Sequence, residues 1–219
     1  MDIPPPADSQ SERPLAISRE AMAQLPIRRY EGRVCVVETR EDLESAAADL
    51  GSEEIVGLDT ETRPAFRKGE NHLPALVQVA TARAVYLFPL RRAPCHPVLA
   101  ALLSEPRAVK AGVSLRDDLR ALKRVFAFEE KNLLDLGRVA RSAGLGQTGV
   151  RNLAGMFLGF RIPKGTKTSN WARPQLSAAQ IAYAATDAWA CRELFLKFQS
   201  LGLLGSPRET PRRDCAPPL

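Results

Sequence analysis

Histidine, cysteine and aromatic residues are scarce in this 219-residue chain: two histidines, four cysteines and an aromatic share of 6%. Cys35, Cys95, Cys191 and Cys215 stand far apart, with no C-x-x-C pair, and His72 and His96 do not complete a zinc site with them. Disulfide frameworks and zinc ribbons are therefore excluded, and the cysteines read as free thiols of a reducing compartment. No apolar run approaches the ~20 residues of a membrane-spanning helix. Met1-Asp2-Ile3-Pro4-Pro5-Pro6 has neither a basic flank nor an apolar stretch, so it does not read as a secretory leader, and the expected location is cytoplasmic. What is there is 45% hydrophobic and 26% charged, an ordinary globular mixture able to bury a core.

Composition divides the chain into three parts. Residues 1–16, with Pro4-Pro5-Pro6 and Pro14, lack an apolar period and read as a flexible arm. Residues 205–219, with Pro207, Pro211 and Pro217-Pro218, read as a disordered tail. Residues 17–204 form one continuous domain with no internal repeat. Within it, Arg33–Val37 is strand-like and Glu41–Leu50 helical, and Ile55–Asp59 is a short apolar run suited to a buried strand. Ala75–Ala80 and Ala84–Phe88, joined by Thr81-Ala82-Arg83, make a hairpin, so the first three core strands are expected antiparallel. Then come a helix near Pro97–Leu103, a strand Ala108–Val113, a helix Leu115–Val125, a strand at Leu133-Leu134 and mostly helix. The last helix starts at a capping box, Ser177 with Gln180, and runs to about Phe198. An antiparallel start followed by βαβ units is an α/β domain with a mixed sheet.

Three stretches carry chemistry. In Asp59-Thr60-Glu61, at the end of the buried strand, residues i and i+2 face the same side, so two carboxylates lie together. Such a pair repels itself unless a cation intervenes, or unless Arg63 pairs with one of them. In Tyr183-Ala184-Ala185-Thr186-Asp187, tyrosine and aspartate share a helical face; a buried Tyr beside an exposed Asp is the alternative. In Lys110-Ala111-Gly112-Val113-Ser114-Leu115-Arg116-Asp117-Asp118, a strand ends and acids open the next helix, where they also complement its dipole.

Taken together and in order, these stretches resemble the DEDD superfamily of 3′–5′ exonucleases, of ribonuclease-H-like fold. The resemblance covers about Ile17 to Phe198 and is nearest to the Werner-syndrome-type exonuclease domain and to stand-alone bacterial 3′–5′ exonucleases. Gly57-Leu58-Asp59-Thr60-Glu61-Thr62-Arg63-Pro64, Leu76-Val77-Gln78-Val79-Ala80 and Ser169-Asn170-Trp171 support it. The family spacing of six residues after Gly112 selects Asp118, leaving Asp117 a capping or solvent role. Ala182 and Tyr183 place the chain in the tyrosine branch, not the histidine branch.

The resemblance implies hydrolysis of phosphodiesters with two divalent ions, Mg²⁺ or Mn²⁺. Asp59 would bridge both ions, Glu61 and Asp187 would complete the first, and Asp118 would hold the second, partly through water. Tyr183 would aim the attacking water. A phenol near pKa ~10 is protonated at neutral pH and is no general base. Thr62 is the place where the terminal 3′-OH would be met, Lys164 would contact phosphate or be a surface lysine, and Arg116 would line the strand's path or belong to a solvated face. Phe66 could wedge against the last base, though a core place suits it better. Arg120, Lys123 and Arg124 either line the strand's path or form a solvated face. Gly144-Leu145-Gly146-Gln147-Thr148-Gly149 matches a dinucleotide fingerprint, but it follows a helical stretch and reads as a helix–helix loop.

The expected substrate is DNA with a single-stranded or recessed 3′ end. The alternatives are a ribonuclease D-like exoribonuclease and a non-catalytic nucleic-acid-binding module on a nuclease fold. Charge agrees with a polyanionic partner. Lys+Arg 31 against Asp+Glu 25 leaves a net charge of +6, but residues 61–204 hold 22 basic residues against 10 acidic.

Overall fold

The computed structural model describes residues 16–204 apart from Phe66, Lys68, Ala93 and residues 164–168. Ala16 excepted, the expected arm lies outside the described residues, as does the expected tail. Six strands form one sheet: β1 (Arg33–Val36), β2 (Ile55–Thr62), β3 (Pro74–Ala80), β4 (Ala84–Pro89), β5 (Val109–Gly112) and β6 (Leu133–Asp135). The helices are α1 (Arg19–Gln24), α2 (Arg40–Gly51), α3 (Cys95–Ser104), α4 (Leu115–Leu122), α5 (Leu136–Ser142), α6 (Val150–Leu153) and α7 (Ala178–Ser200). A π-helical turn, Ala154–Leu158, continues α6.

The sheet order is β1-β4-β3-β2-β5-β6. The run β2-β3-β4 is antiparallel, while β2-β5, β5-β6 and β1-β4 are parallel. The expected antiparallel core is therefore present, with β1 added at one edge. Two features differ from expectation. Strand β2 continues three residues past Asp59, because its pairing with β3 holds through Thr60 and Glu61 even though the apolar run has ended. Helix α4 stops at Leu122 instead of Val125, because the backbone N–H groups of Arg124 and Val125 turn back to Ala121 and Leu122.

Alternation along the strands sorts the core into two layers. Val56, Leu58, Val77, Val79, Tyr86 and Phe88 pack beneath α2, α3 and α4. On the other face, Leu76, Ala80, Val85 and Leu87 meet Ala184, Ala185 and Ala188 of α7. Further along, Ala111 meets Leu194, Phe195 and Phe198. Helix α7 thus crosses that face of the sheet. Its start is fixed by the expected capping box, in which Ser177 accepts from Gln180 N and the Gln180 side chain accepts from Ser177 N.

The segment before β1 is fastened to this layer. Gln147 exchanges two hydrogen bonds with Ile17, Ile27 bridges to Arg161, and the Tyr30 N–H donates to Thr186 Oγ1 at 3.0 Å. The Tyr30 ring lies 5.9 Å from Trp189, which stacks on Phe160 at 5.3 Å. The glycine loop 144–149 joins α5 to α6, as its surroundings indicate.

Candidate active site

The end of β2 and the middle of α7 meet where glycine permits it. Gly57 faces α7, and a Cβ placed there would stand 2.0 Å from the Ala188 carbonyl oxygen and 2.7 Å from the Arg192 nitrogen. Backbone approaches backbone directly, which only a residue without a side chain allows. Two and four residues further along the same face come Asp59 and Glu61. Asp187, next to Ala188, comes with the helix. One carboxylate oxygen from each of Asp59, Glu61 and Asp187 lies within 4.8 Å of the others. Asp187 is 3% exposed and Glu61 9%.

Asp118 stands apart from that trio, half-buried on α4. It is close enough to Asp59 to raise that residue's proton affinity. The turn that delivers α4 is tight. Ser114 has left-handed backbone geometry (φ 62°), an unfavourable state for a side-chain-bearing residue. Its N–H donates to Asp135 Oδ1 at 3.2 Å, and the same oxygen caps α5 through Arg138 N. Gly112 completes the turn; a Cβ there would sit 2.4 Å from the Leu58 carbonyl oxygen. Lys110, buried at the start of this motif, donates to the Glu105 carbonyl oxygen at 2.6 Å and ties β5 to the end of α3.

Two of these acids, Asp59 and Asp118, hold protons unusually tightly. Burial first, then Asp187 and Glu61, push Asp59 well above the usual carboxylate range. Burial raises Asp118 to about 6. Tyr183 donates to the Asp187 carboxylate, and burial together with that acid pushes the phenol well up. It therefore keeps its proton at neutral pH. Cys191, one turn past Asp187, is also pushed up by burial and then by Asp59, so it stays a thiol. What the trio offers is hard carboxylate oxygens without imidazole or thiolate, a donor set that fits Mg²⁺ or Mn²⁺.

A pH dependence follows for the metal-free protein. The folded state keeps protons on Asp59 and Asp118 that the unfolded chain releases near pH 3.8, so stability falls as pH rises toward and through about 6. Asp42 and Glu105, whose pKa values are lowered, stay ionised above pH 5, and Lys110, lowered to about 8, stays charged below that value. In EDTA, thermal unfolding is therefore expected at a higher temperature at pH 5 than at pH 7.5. Equal midpoints would contradict the site's electrostatics.

The remaining sequence candidates fall variously. Thr62 ends β2, half-buried, after a register irregularity between Glu61 and Thr62. Arg116 is exposed in the first turn of α4. Lys164 and Phe66 lie outside the described residues. Asp117 is solvent-facing, with its partner Arg120 at 3.3 Å, and makes no cap. Lys123 pairs with Glu130 and sits over the Phe128 ring, so not all of this basic surface faces solvent alone. Trp171, buried 6.1 Å from the Tyr183 ring, backs the tyrosine. Gly57, Thr60 and Asp135 had no role in the sequence reading. Period two along β2 points to Gly57, whereas Asp135 becomes visible only in three dimensions.

Comparison with known proteins agrees with this geometry. A family profile described as 3′–5′ exonuclease matches residues 34–202. Ribonuclease D of Gluconacetobacter diazotrophicus is 32% identical over 164 residues, 73% of this chain and 41% of that protein. The mouse bifunctional 3′–5′ exonuclease/ATP-dependent helicase WRN is 28% identical over 165 residues, 73% of this chain and 12% of that protein. The chain spans less than half the length of either relative. Among solved structures, the exonuclease domain of Aedes aegypti Nibbler matches with a TM-score of 0.70 at 21% identity, covering 81% of this chain and 93% of that one, a likeness of fold. Sheet, acidic cluster and profile converge, and the chain belongs to the 3′–5′ exonuclease family.

Proposed function

We propose that this chain is a metal-dependent 3′–5′ exonuclease that removes nucleotides from the 3′ ends of RNA. The observation that carries the reading is the trio Asp59, Glu61 and Asp187 within 4.8 Å, with Tyr183 bonded to the third. Asp59, Glu61 and Asp187 would hold one divalent ion, and Asp118 with Asp59 would hold a second. When bound, the ions supply a water of lowered pKa and offset charge at the phosphate and the leaving 3′ oxygen. Tyr183, held by Asp187 and backed by Trp171, orients the attacking water. Thr62 meets the terminal 3′-OH and Arg116 a phosphate.

RNA is favoured because relatives carry the name ribonuclease D. The DNA preference expected from the sequence is not supported by these relatives, whose names lean to RNA.

The test uses 5′-labelled single-stranded RNA and DNA of one sequence, with Mg²⁺ or Mn²⁺ and with EDTA. Metal-dependent ladders shortening from the 3′ end, faster on RNA, are expected. Faster trimming of DNA overturns the RNA assignment; no trimming of either overturns the exonuclease. Tyr183→Phe is expected to lower kcat about 10²-fold by loss of positioning, with Mn²⁺ affinity within about twofold of the parent, since the ligand oxygens remain. Calorimetry and single-turnover rates separate the two effects.

A further inference from the structure

Gln78 occupies a place that the packing of the sheet does not explain. It lies on β3, in the stretch Leu76-Val77-Gln78-Val79-Ala80, on the face covered by α7. Its neighbours on that face, Leu76 and Ala80, belong to the apolar cluster with Ala184, Ala185 and Ala188. The residue is 0% exposed, yet among the described residues neither its amide nitrogen nor its carbonyl oxygen has a hydrogen-bond partner. A buried carboxamide without partners costs on the order of 1–3 kcal/mol, so a purely structural position would favour leucine or methionine.

The register identifies what the amide stands beside. Gln78 is the direct cross-strand partner of Asp59. Opposite residues of an antiparallel pair project to the same face with Cβ atoms about 4.5–5.5 Å apart. The carboxamide therefore rises next to the Asp59 carboxyl, beneath the same helix that supplies Asp187. Thr60 N–H is a donor to Asp59 from the main chain. A carboxylate that ligates cations keeps lone pairs for outer donors, and such donors fix its orientation.

We propose that Gln78 is a positioning residue for Asp59, donating an amide N–H to its carboxylate when divalent ions are held and so fixing the oxygen that faces them. The proposal rests on the exonuclease reading, in which Asp59 is the shared ligand. It gives a polar residue inside an alanine-lined layer a function that appears only in the loaded protein.

The experiment compares the full chain with Gln78→Met, a near-isosteric apolar variant, and with Gln78→Leu. Three quantities are read: unfolding temperature in EDTA, Mn²⁺ affinity by calorimetry without substrate, and kcat and KM for a single-stranded substrate. The expected result is an EDTA unfolding temperature equal to or above the parent's, Mn²⁺ affinity weakened about 10- to 100-fold, and kcat lowered with KM nearly unchanged. Unchanged Mn²⁺ affinity in both variants overturns the proposal. So does a clear loss of EDTA-state stability in both, because the amide's partner would then belong to the fold itself. Failure of the parent chain to bind Mn²⁺ instead defeats the exonuclease reading and is recognised separately, in the parent's own titration.

Discussion

Asp59→Asn is expected to silence nucleotide release while making the metal-free protein more stable. The two effects have one cause. Asp59 sits among Glu61, Asp187 and Asp118, and burial and those neighbours push its proton affinity well up. Asparagine keeps the shape and removes the charge, so the repulsion and the desolvation penalty of the ionised form both disappear. In EDTA at pH 7.5 we expect a gain of about 1–2 kcal/mol, or roughly 3–6 °C. The same change removes the shared ligand. If that ligand accounts for about 5–6 kcal/mol of barrier lowering, the rate falls about 10⁴-fold. A variant that merely misfolds would lose activity and stability together, so opposite signs in the two assays are diagnostic. Residual trimming at the parent's rate would show that the activity comes from elsewhere.

Gly57→Val is expected to have the largest effect on the fold itself. Its Cβ would occupy space 2.0 Å from the Ala188 carbonyl oxygen and 2.7 Å from the Arg192 nitrogen, and both obstacles are helix backbone, which cannot swing aside. Relief requires α7 to lift from β2. That separates Asp187 and Tyr183 from Asp59 and opens the layer built on Ala184, Ala185 and Ala188. Overpacking of this kind costs about 2–4 kcal/mol, or roughly 5–12 °C in unfolding temperature. Nucleotide release should fall at least as far as in Tyr183→Phe, because two side chains are displaced at once. Gly51→Val serves as the comparison, since nothing lies within 4 Å of a Cβ there. Equal stability of the two variants would contradict the close approach of helix and strand.

Much of this architecture can be read along the chain wherever neighbouring residues decide it. The hairpin of β3 and β4 was legible because a three-residue turn separates two apolar runs, and Thr81 secures it by accepting from Ala84 N and donating to Asp49. The start of α7 was legible from Ser177 and Gln180 alone. The trio of acids was legible by two routes: strand period placed Asp59 beside Glu61, and family spacing brought in Asp187. Pairings between distant segments were not legible. Nothing near Arg33 announces that β1 lies parallel to β4, and nothing near Gln78 announces that it faces Asp59. The separation of Asp118 from the trio likewise depends on how the Ser114 turn aims α4. Strand and helix ends depart from the apolar pattern where hydrogen bonding continues past it, in β2, or stops before it, in α4.

The fastening of Tyr30 onto α7 has a consequence for what counts as the working unit. The match to the family profile begins at residue 34. Yet the N–H of Tyr30 is bonded to the hydroxyl of Thr186, the residue just before Asp187, and its ring rests on Trp189 two positions beyond. The polypeptide ahead of the profile-matched segment therefore acts as a splint on α7. A fragment cut at residue 34 would retain Asp59, Glu61, Asp118 and Asp187 and still lack the brace beside the last of them.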